Sequence, residues 1–171
     1  MKAEAERCSE EADKRAWKTD RQIRELGKQI GGLGNKFGSF TEDIVMPLVQ
    51  QLLFDRFGVE DFMPRRRKRF GSKSIEIDAL GIVNGSRNEA YIVEIKSHLR
   101  QDSVEQLLRL LEEFRSIFPE YADKKLYGIL AAADANSEAL EAAQKAGLYV
   151  VTFNEDLMRF QDDTNFTAKA Y

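Results

Sequence analysis

The fold of this 171-residue chain is constrained most strongly by two strand-like segments that flank a short turn. Residues 74–83 and 89–96 are rich in β-branched and other apolar side chains, and residues 84–88 (Asn-Gly-Ser-Arg-Asn) are typical of a turn. If Val83 lies opposite Glu89, the numbers of facing residues sum to 172. The pattern therefore predicts an antiparallel hairpin with a defined register.

The alternation of side chains within this hairpin decides which charged groups share a face, because successive side chains of a strand point to opposite faces. In the first strand, one face is expected to carry Glu76, Asp78 and Leu80, and the other Ile75, Ile77 and Ala79. In the second strand, Glu94 and Lys96 are expected to share a face with Ile92. The register places Asp78 directly opposite Glu94, with their Cβ atoms about 5 Å apart.

Two opposed carboxylates repel each other and destabilise a sheet, so packing alone gives no reason for this pair. A divalent cation would convert the repulsion into ligation, and oxygen ligands suit Mg²⁺ or Mn²⁺. Lys96 lies two residues beyond Glu94 on the same face, where its ammonium would offset negative charge and hold or polarise a water. The group therefore predicts phosphodiester hydrolysis. The alternative is a surface Asp/Glu/Lys cluster on an exposed sheet face.

The segments around the hairpin predict the order of the elements. A capping-box sequence at residues 39–42 opens a helix that is expected to continue to about Phe57. The other predicted elements are a basic strand ending near Phe70, a helix over residues 102–118, a strand over 126–132, a helix over 136–146, a strand over 148–153 and a short terminal helix near Asp156. Because strand–helix–strand spacing implies parallel pairing, the predicted class is α/β, with an αβββαβ core and a mixed central sheet.

The combination of Asp78 with the later segment Ile92-Val93-Glu94-Ile95-Lys96 resembles the motif of the PD-(D/E)XK nucleases. This superfamily includes restriction-endonuclease-like and Holliday-junction-resolvase-like enzymes, and the resemblance covers residues 36–153. Ile77 stands where the family often has proline before the aspartate. The resemblance implies a restriction-endonuclease-like fold and a nuclease that depends on Mg²⁺ or Mn²⁺.

The resemblance also implies roles for individual residues. Asp78, Glu94 and the Ile95 carbonyl would bind the metal ion, and Lys96 would act on the attacking water. The family commonly places a further acidic residue on the first helix, and Glu42 is the matching position, both as a catalytic residue and as a metal ligand; Asp43 is the second candidate. Its alternative role is the capping box, in which its side chain would bond the backbone at residue 39. Gln106 matches the polar residue that many members carry on the helix after the lysine strand.

A dense run of positive charge precedes the hairpin. It consists of Arg65, Arg66, Arg67, Lys68, Arg69 and Lys73. Contacts between such a run and phosphates would supply nucleic-acid affinity that is independent of sequence and falls with salt. A charged edge strand protected against aggregation is the alternative. The net charge of −3 speaks against a protein that coats DNA indiscriminately.

Residues 1–34 are predicted to form a helical arm, and residues 35–171 a nuclease-like domain. The arm alternates acidic and basic side chains on good helix formers, and a glycine-rich stretch ends it. Ile23, Leu26, Ile30 and Leu33 follow the 3-4-3 spacing of a coiled-coil seam over about two heptads. A homodimer through the arm and a helix that folds back on the domain are the two alternatives.

The amino-acid composition disfavours several classes of protein and of active site. No apolar run is long enough for a membrane span, so no membrane partner is expected. With Cys8 as the single cysteine and His98 as the single histidine, disulfides, cysteine zinc clusters and histidine-based triads are disfavoured, and a reducing cytoplasm is expected. The prediction is a metal-dependent endo- or exodeoxyribonuclease acting on DNA. The alternative is a catalytically silent nuclease-fold scaffold or nucleic-acid-binding module that works through its arm.

Overall fold

The computed structural model describes residues 43–154, 157–161 and 166–171, and for residues 73, 154, 157 and 158 it describes the backbone alone. The predicted arm, the boundary between residues 34 and 35, and Glu42 lie outside the described residues. In the part that is described, no helix is long and apolar enough to cross a membrane.

Three helices and six strands make up the described domain. Helix α1 covers residues 43–57. The elements after it are β1 (Asp61–Phe70), β2 (Lys73–Val83), β3 (Glu89–Leu99), α2 (Gln101–Ile117), a 3₁₀ turn (Pro119–Tyr121), β4 (Lys125–Ala135), α3 (Ser137–Lys145), β5 (Tyr149–Asn154) and β6 (Leu157–Phe160). The predicted α/β class with αβββαβ order is confirmed.

The strands form one mixed sheet in the order β1-β2-β3-β4-β5-β6. The pairs β1–β2 and β2–β3 are antiparallel, β3–β4 and β4–β5 are parallel, and β5–β6 is antiparallel. The predicted terminal helix near Asp156 is wrong, because residues 157–160 continue the sheet as β6. Pairing with β5 satisfies backbone groups of that strand, which would otherwise form the edge of the sheet.

The sheet separates two hydrophobic cores. On one face α1 packs Val45, Val49 and Leu53 against the sheet, and on the other α2 and α3 cover a larger core that includes Phe114 and Leu130. From Ala90 to Ile95 the apolar residues of β3 alternate between the two cores, because neighbouring side chains of a strand point to opposite faces. Glu94 and Lys96 of β3 line cavities together with residues of α2.

The close approach of α2 to the sheet depends on Gly128 in β4. A Cβ at this position would lie 2.9 Å from Leu111 Cδ1 of α2 and 2.7 Å from Leu148 Cδ2. Both distances are shorter than any normal carbon–carbon contact, so only glycine lets these leucines reach the strand. Helix α2 is thereby held over β3 and β4, with its own polar residues beside the charged end of β3.

Candidate active site at the β2–β3 hairpin

The register of the hairpin is the one that the sequence predicts. Val83 pairs with Glu89, and the ladder continues without a slip to Ala79 opposite Val93. The described backbone ladder ends at that pair, one step before Asp78 and Glu94. The two carboxylates therefore lie at the point where β2 and β3 stop pairing through their backbones.

Asp78 bonds to the neighbouring strand through its side chain. The Ile95 backbone N–H donates a hydrogen bond of 2.7 Å to Asp78 Oδ2. The carboxylate thus takes the place of a backbone acceptor and holds Asp78 against the segment that carries Glu94 and Lys96. This contact fixes the position of one carboxylate relative to the backbone of β3.

The faces predicted for β2 are wrong on the N-terminal side of Asp78. Ile77 and the partly buried Ile75 pack in the same core as Leu80, whereas Ala79 packs in the core on the α1 face. The simple alternation is therefore interrupted at Asp78. The neighbouring strand β1 is irregular at the same level. Arg65 of β1 has a φ of 49° and falls between two of the ladder pairs that β1 makes with β2. Such an irregularity re-aims side chains, as in a β-bulge.

Glu94 and Lys96, which are two residues apart on β3, form an ion pair. Lys96 Nζ donates a hydrogen bond of 2.6 Å to Glu94 Oε1, and only 9% of the Glu94 side chain is exposed, against 31% for Lys96. A carboxylate as buried as Glu94 stays charged at a tolerable cost only when a partner compensates it. The lysine therefore stabilises the charged state of Glu94 in the metal-free protein.

Burial raises the pKa of the Asp78 carboxyl above its ordinary value. The Ile95 N–H bond and the Lys96 ammonium act in the opposite direction but do not cancel this effect, and Glu76 adds to the rise while Arg65 opposes it. The ionised Asp78 is therefore less well solvated in the folded protein than in the unfolded chain. A cation bound at Asp78 would remove this disadvantage.

The raised pKa of Asp78 predicts how stability responds to pH. The folded state binds this proton more tightly than the unfolded state, so the contribution of Asp78 to stability falls as pH rises through the raised pKa. Metal-free Asp78→Asn is therefore expected to be at least as stable as the parent protein at neutral pH. The difference should vanish in acid, where the carboxyl is protonated in both states. Thermal unfolding in EDTA across this pH range measures it, and a variant less stable than the parent at neutral pH would contradict it.

The oxygen donors at this site fit a hard divalent cation. Asp78 and Glu94 supply two carboxylates, and the resemblance adds the Ile95 carbonyl. Within the described residues, no group of three or more His, Cys, Asp or Glu side chains converges to hold a metal ion. Two carboxylates are nevertheless enough for Mg²⁺, which commonly keeps several waters and completes its shell with substrate phosphate. The predicted third carboxylate, Glu42, lies outside the described residues.

Gln106 lies on the exposed side of α2, where it lines two cavities next to β3. One cavity, of about 410 Å³, includes Glu94, and the other, of about 450 Å³, includes Lys96. Arg109, one turn further along α2, lines both cavities as well. Gln106 thus lines cavities together with Glu94 and Lys96, and its role in the site stays a prediction. Arg109 and Arg100 at the start of α2 were missed by sequence reasoning, because isolated arginines on an amphipathic helix carry no distinguishing signal.

Much of the predicted nucleic-acid-binding run is engaged with acidic side chains. The ion pairs join Arg65 to Asp43, Arg67 to Glu76, and both Arg66 and Lys68 to Glu120. Arg69 is exposed, and for Lys73 only the backbone is described. The carboxylates of α1, β2 and the 3₁₀ turn therefore neutralise part of this charge locally. Contact between this run and DNA stays a prediction.

These features define an α/β protein with a mixed six-stranded sheet and an Asp–Glu–Lys group at one hairpin. The chain belongs to the family described as "Domain of unknown function (DUF8196)", whose model matches residues 65–160. The matched region begins in β1 and ends with β6. It therefore contains the hairpin, α2 and both cavities.

Several solved structures resemble part of this chain, with TM-scores below 0.5. A repair endonuclease from Pyrococcus abyssi has a TM-score of 0.42 and 22% identity over 62% of this chain and 45% of its own. EndoMS in complex with dsDNA has a TM-score of 0.40 and 29% identity over 60% and 41% of the two chains. Protein VC1899 from Vibrio cholerae has a TM-score of 0.45 and 19% identity over 64% and 28%. This chain thus spans less than half of each of them, and no curated protein matches its sequence.

Proposed function

We propose that this protein is a metal-dependent nuclease that hydrolyses phosphodiester bonds of DNA. The observation that supports the proposal is a pair of contacts at the end of the β2–β3 ladder. Asp78 is bonded to the Ile95 backbone, and Glu94 is buried against Lys96. The motif formed by these residues resembles that of the PD-(D/E)XK nucleases, and this resemblance favours DNA as the substrate.

In the proposed mechanism, Asp78, Glu94 and the Ile95 carbonyl hold Mg²⁺ or Mn²⁺. When bound, the cation would supply positive charge where negative charge develops on the phosphate during hydrolysis. The Ile95 N–H keeps the Asp78 carboxylate in place, so that this ligand is oriented before the cation arrives. Glu94 is held by its bond to the Lys96 ammonium.

Lys96 is the group proposed to act on the attacking water. An ammonium has three N–H donors, so a lysine that bonds Glu94 can also donate to a water or to a phosphate oxygen. Its side chain is partly exposed towards the cavity on the α2 side of β3. Gln106 faces the same cavity and is proposed to position the water or the phosphate. Glu42 stays a predicted third carboxylate.

A cleavage panel tests the proposed function. Labelled single-stranded, duplex and branched DNA and matching RNA are incubated with the full chain in EDTA, Mg²⁺ or Mn²⁺, and the products are separated by size. We expect cleavage of DNA that requires the metal ion. Absence of cleavage on every substrate, together with no effect of Mn²⁺ on the melting temperature, would reject the nuclease and leave the silent scaffold.

The predicted helical arm gives a second, independent prediction about partners. A homodimer through residues 1–34 would bring two sites to the two strands of a duplex. Light scattering of the full chain should give the mass of a dimer, and the chain without residues 1–30 should give that of a monomer. A monomeric full chain would contradict the prediction.

A further inference from the structure

Two adjoining cavities lie on the α2 side of β3 and share Gln106 and Arg109. We call them together the α2 groove, with a Glu94 half and a Lys96 half. Because the side chains of residues 106 and 109 are neighbours on one helix face, they stand between the two halves. A polymer that enters the proposed active site along this groove would therefore pass both of them.

The two halves of the α2 groove differ in charge. The Glu94 half is lined by three carboxylates and one cation: Glu76, Glu94, Glu113 and Arg109. The Lys96 half is lined by three cations and one carboxylate: Lys96, Arg100, Arg109 and Asp102. A divalent cation is attracted to the first half and a phosphate to the second. The groove thus offers separate places for the metal ion and for the nucleic-acid backbone.

Arg100 and Arg109 differ from most of the basic run in β1. Among the described residues, neither side chain makes a hydrogen bond or ion pair, and both are exposed. Arg67 and Lys68 of β1, by contrast, form ion pairs with Glu76 and Glu120, whose carboxylates offset their positive charge. A guanidinium that makes no ion pair keeps its full attraction for a phosphate and can bind it through two parallel N–H bonds.

We propose that Arg100 and Arg109 form a phosphate-binding subsite in the Lys96 half of the α2 groove. This inference deepens the proposed function and rests on it, because the bound phosphate belongs to the nucleic-acid strand whose scissile bond lies at Glu94. The subsite takes a backbone phosphate next to the scissile one. The strand is thereby guided along α2 rather than along β1.

Binding measured without metal tests this subsite apart from catalysis. Fluorescently labelled single-stranded and duplex DNA oligonucleotides are titrated with the full chain in EDTA at several salt concentrations, and anisotropy is recorded. The variants are Arg100→Gln, Arg109→Gln and the double variant. The control is Lys145→Gln on α3, which removes an exposed positive charge from a helix that lines neither half of the groove. Thermal melting confirms that each variant is folded.

Each single variant is expected to bind about three- to tenfold more weakly near 0.1 M salt, and the salt slope should fall by about one for each arginine. Lys145→Gln should bind like the parent protein. A double variant that keeps the affinity and slope of the parent would overturn the subsite, as would a parent protein that binds neither oligonucleotide. If binding depends on both arginines but no metal supports cleavage, the subsite stands and the nuclease is rejected. If the parent protein cleaves DNA and the double variant binds like the parent, the nuclease stands and the subsite is rejected.

Discussion

Replacing Asp78 by Asn or Lys96 by Ala is expected to lower metal-dependent DNA cleavage by about 10²-fold or more. Asp78→Asn keeps the size of the side chain and an acceptor for the Ile95 N–H, but it removes the charge proposed to bind the cation. Lys96→Ala removes the group proposed to act on the attacking water, and such groups contribute about 10²- to 10⁴-fold to a rate. Initial cleavage rates in Mn²⁺ measure both effects.

The chain offers a matched control for these variants. Glu141 and Lys145 form an exposed acid–base pair on α3, with 4.0 Å between Oε2 and Nζ. Glu141→Gln and Lys145→Ala remove the same charges without touching the hairpin, and we expect them to cleave at the parental rate. Full activity in both Asp78→Asn and Lys96→Ala would contradict the site assignment.

Lys96→Ala also leaves the buried Glu94 without its lysine, which itself reduces stability. Its melting temperature therefore has to be recorded alongside its rate. Glu94→Gln gives a second route to the same conclusion, because the neutral amide does not need a cationic partner. We expect this variant to remain folded and to lose metal-dependent cleavage as strongly as Asp78→Asn.

Replacing Phe114 by Ala is expected to lower the free energy of unfolding by about 3–5 kcal/mol. Phe114 is a fully buried residue of α2, and its ring stacks on that of Phe118 with 4.9 Å between the ring centroids. The substitution leaves a cavity between α2 and the sheet that neighbouring side chains cannot fill. Urea denaturation followed by circular dichroism measures the loss.

Phe70→Ala is the control for Phe114→Ala, because Phe70 at the end of β1 is 44% exposed. We expect this variant to change the unfolding free energy by less than about 0.5 kcal/mol, as at most surface positions. Equal losses in the two variants would show that α2 does not depend on this core. Since α2 carries Gln106 and Arg109, its attachment to the sheet also determines the shape of the α2 groove.

The distribution of charge is compatible with the proposed phosphate-binding subsite on an acidic chain. The net charge is −3, and the basic run in β1 is largely paired with carboxylates from α1, β2 and the 3₁₀ turn. Exposed ion pairs of this kind contribute little to stability and exchange readily with other ions. Arg100 and Arg109 line a cavity instead. Local placement, rather than net charge, therefore decides where a phosphate is attracted.

The sequence by itself determined the order of the core elements, the register of the hairpin and the shared face of Glu94 and Lys96. These features depend on local patterns: a two-residue period in strands, a helical period in α2 and a turn of defined length. The basic strand and the parallel strands β4 and β5 follow from the same rules. Each of these signals lies within one short segment of the chain.

Only the tertiary structure decided how Asp78 is held, which acids pair with the basic run and which arginines line the groove. Alternation is interrupted at Asp78, at the level where Arg65 of β1 also stands outside the ladder pairs. Lys68 meets Glu120 across 52 positions of sequence, and β6 replaces a predicted helix because β5 offers it an edge. Contacts between distant segments depend on how whole elements pack, and no local pattern encodes them.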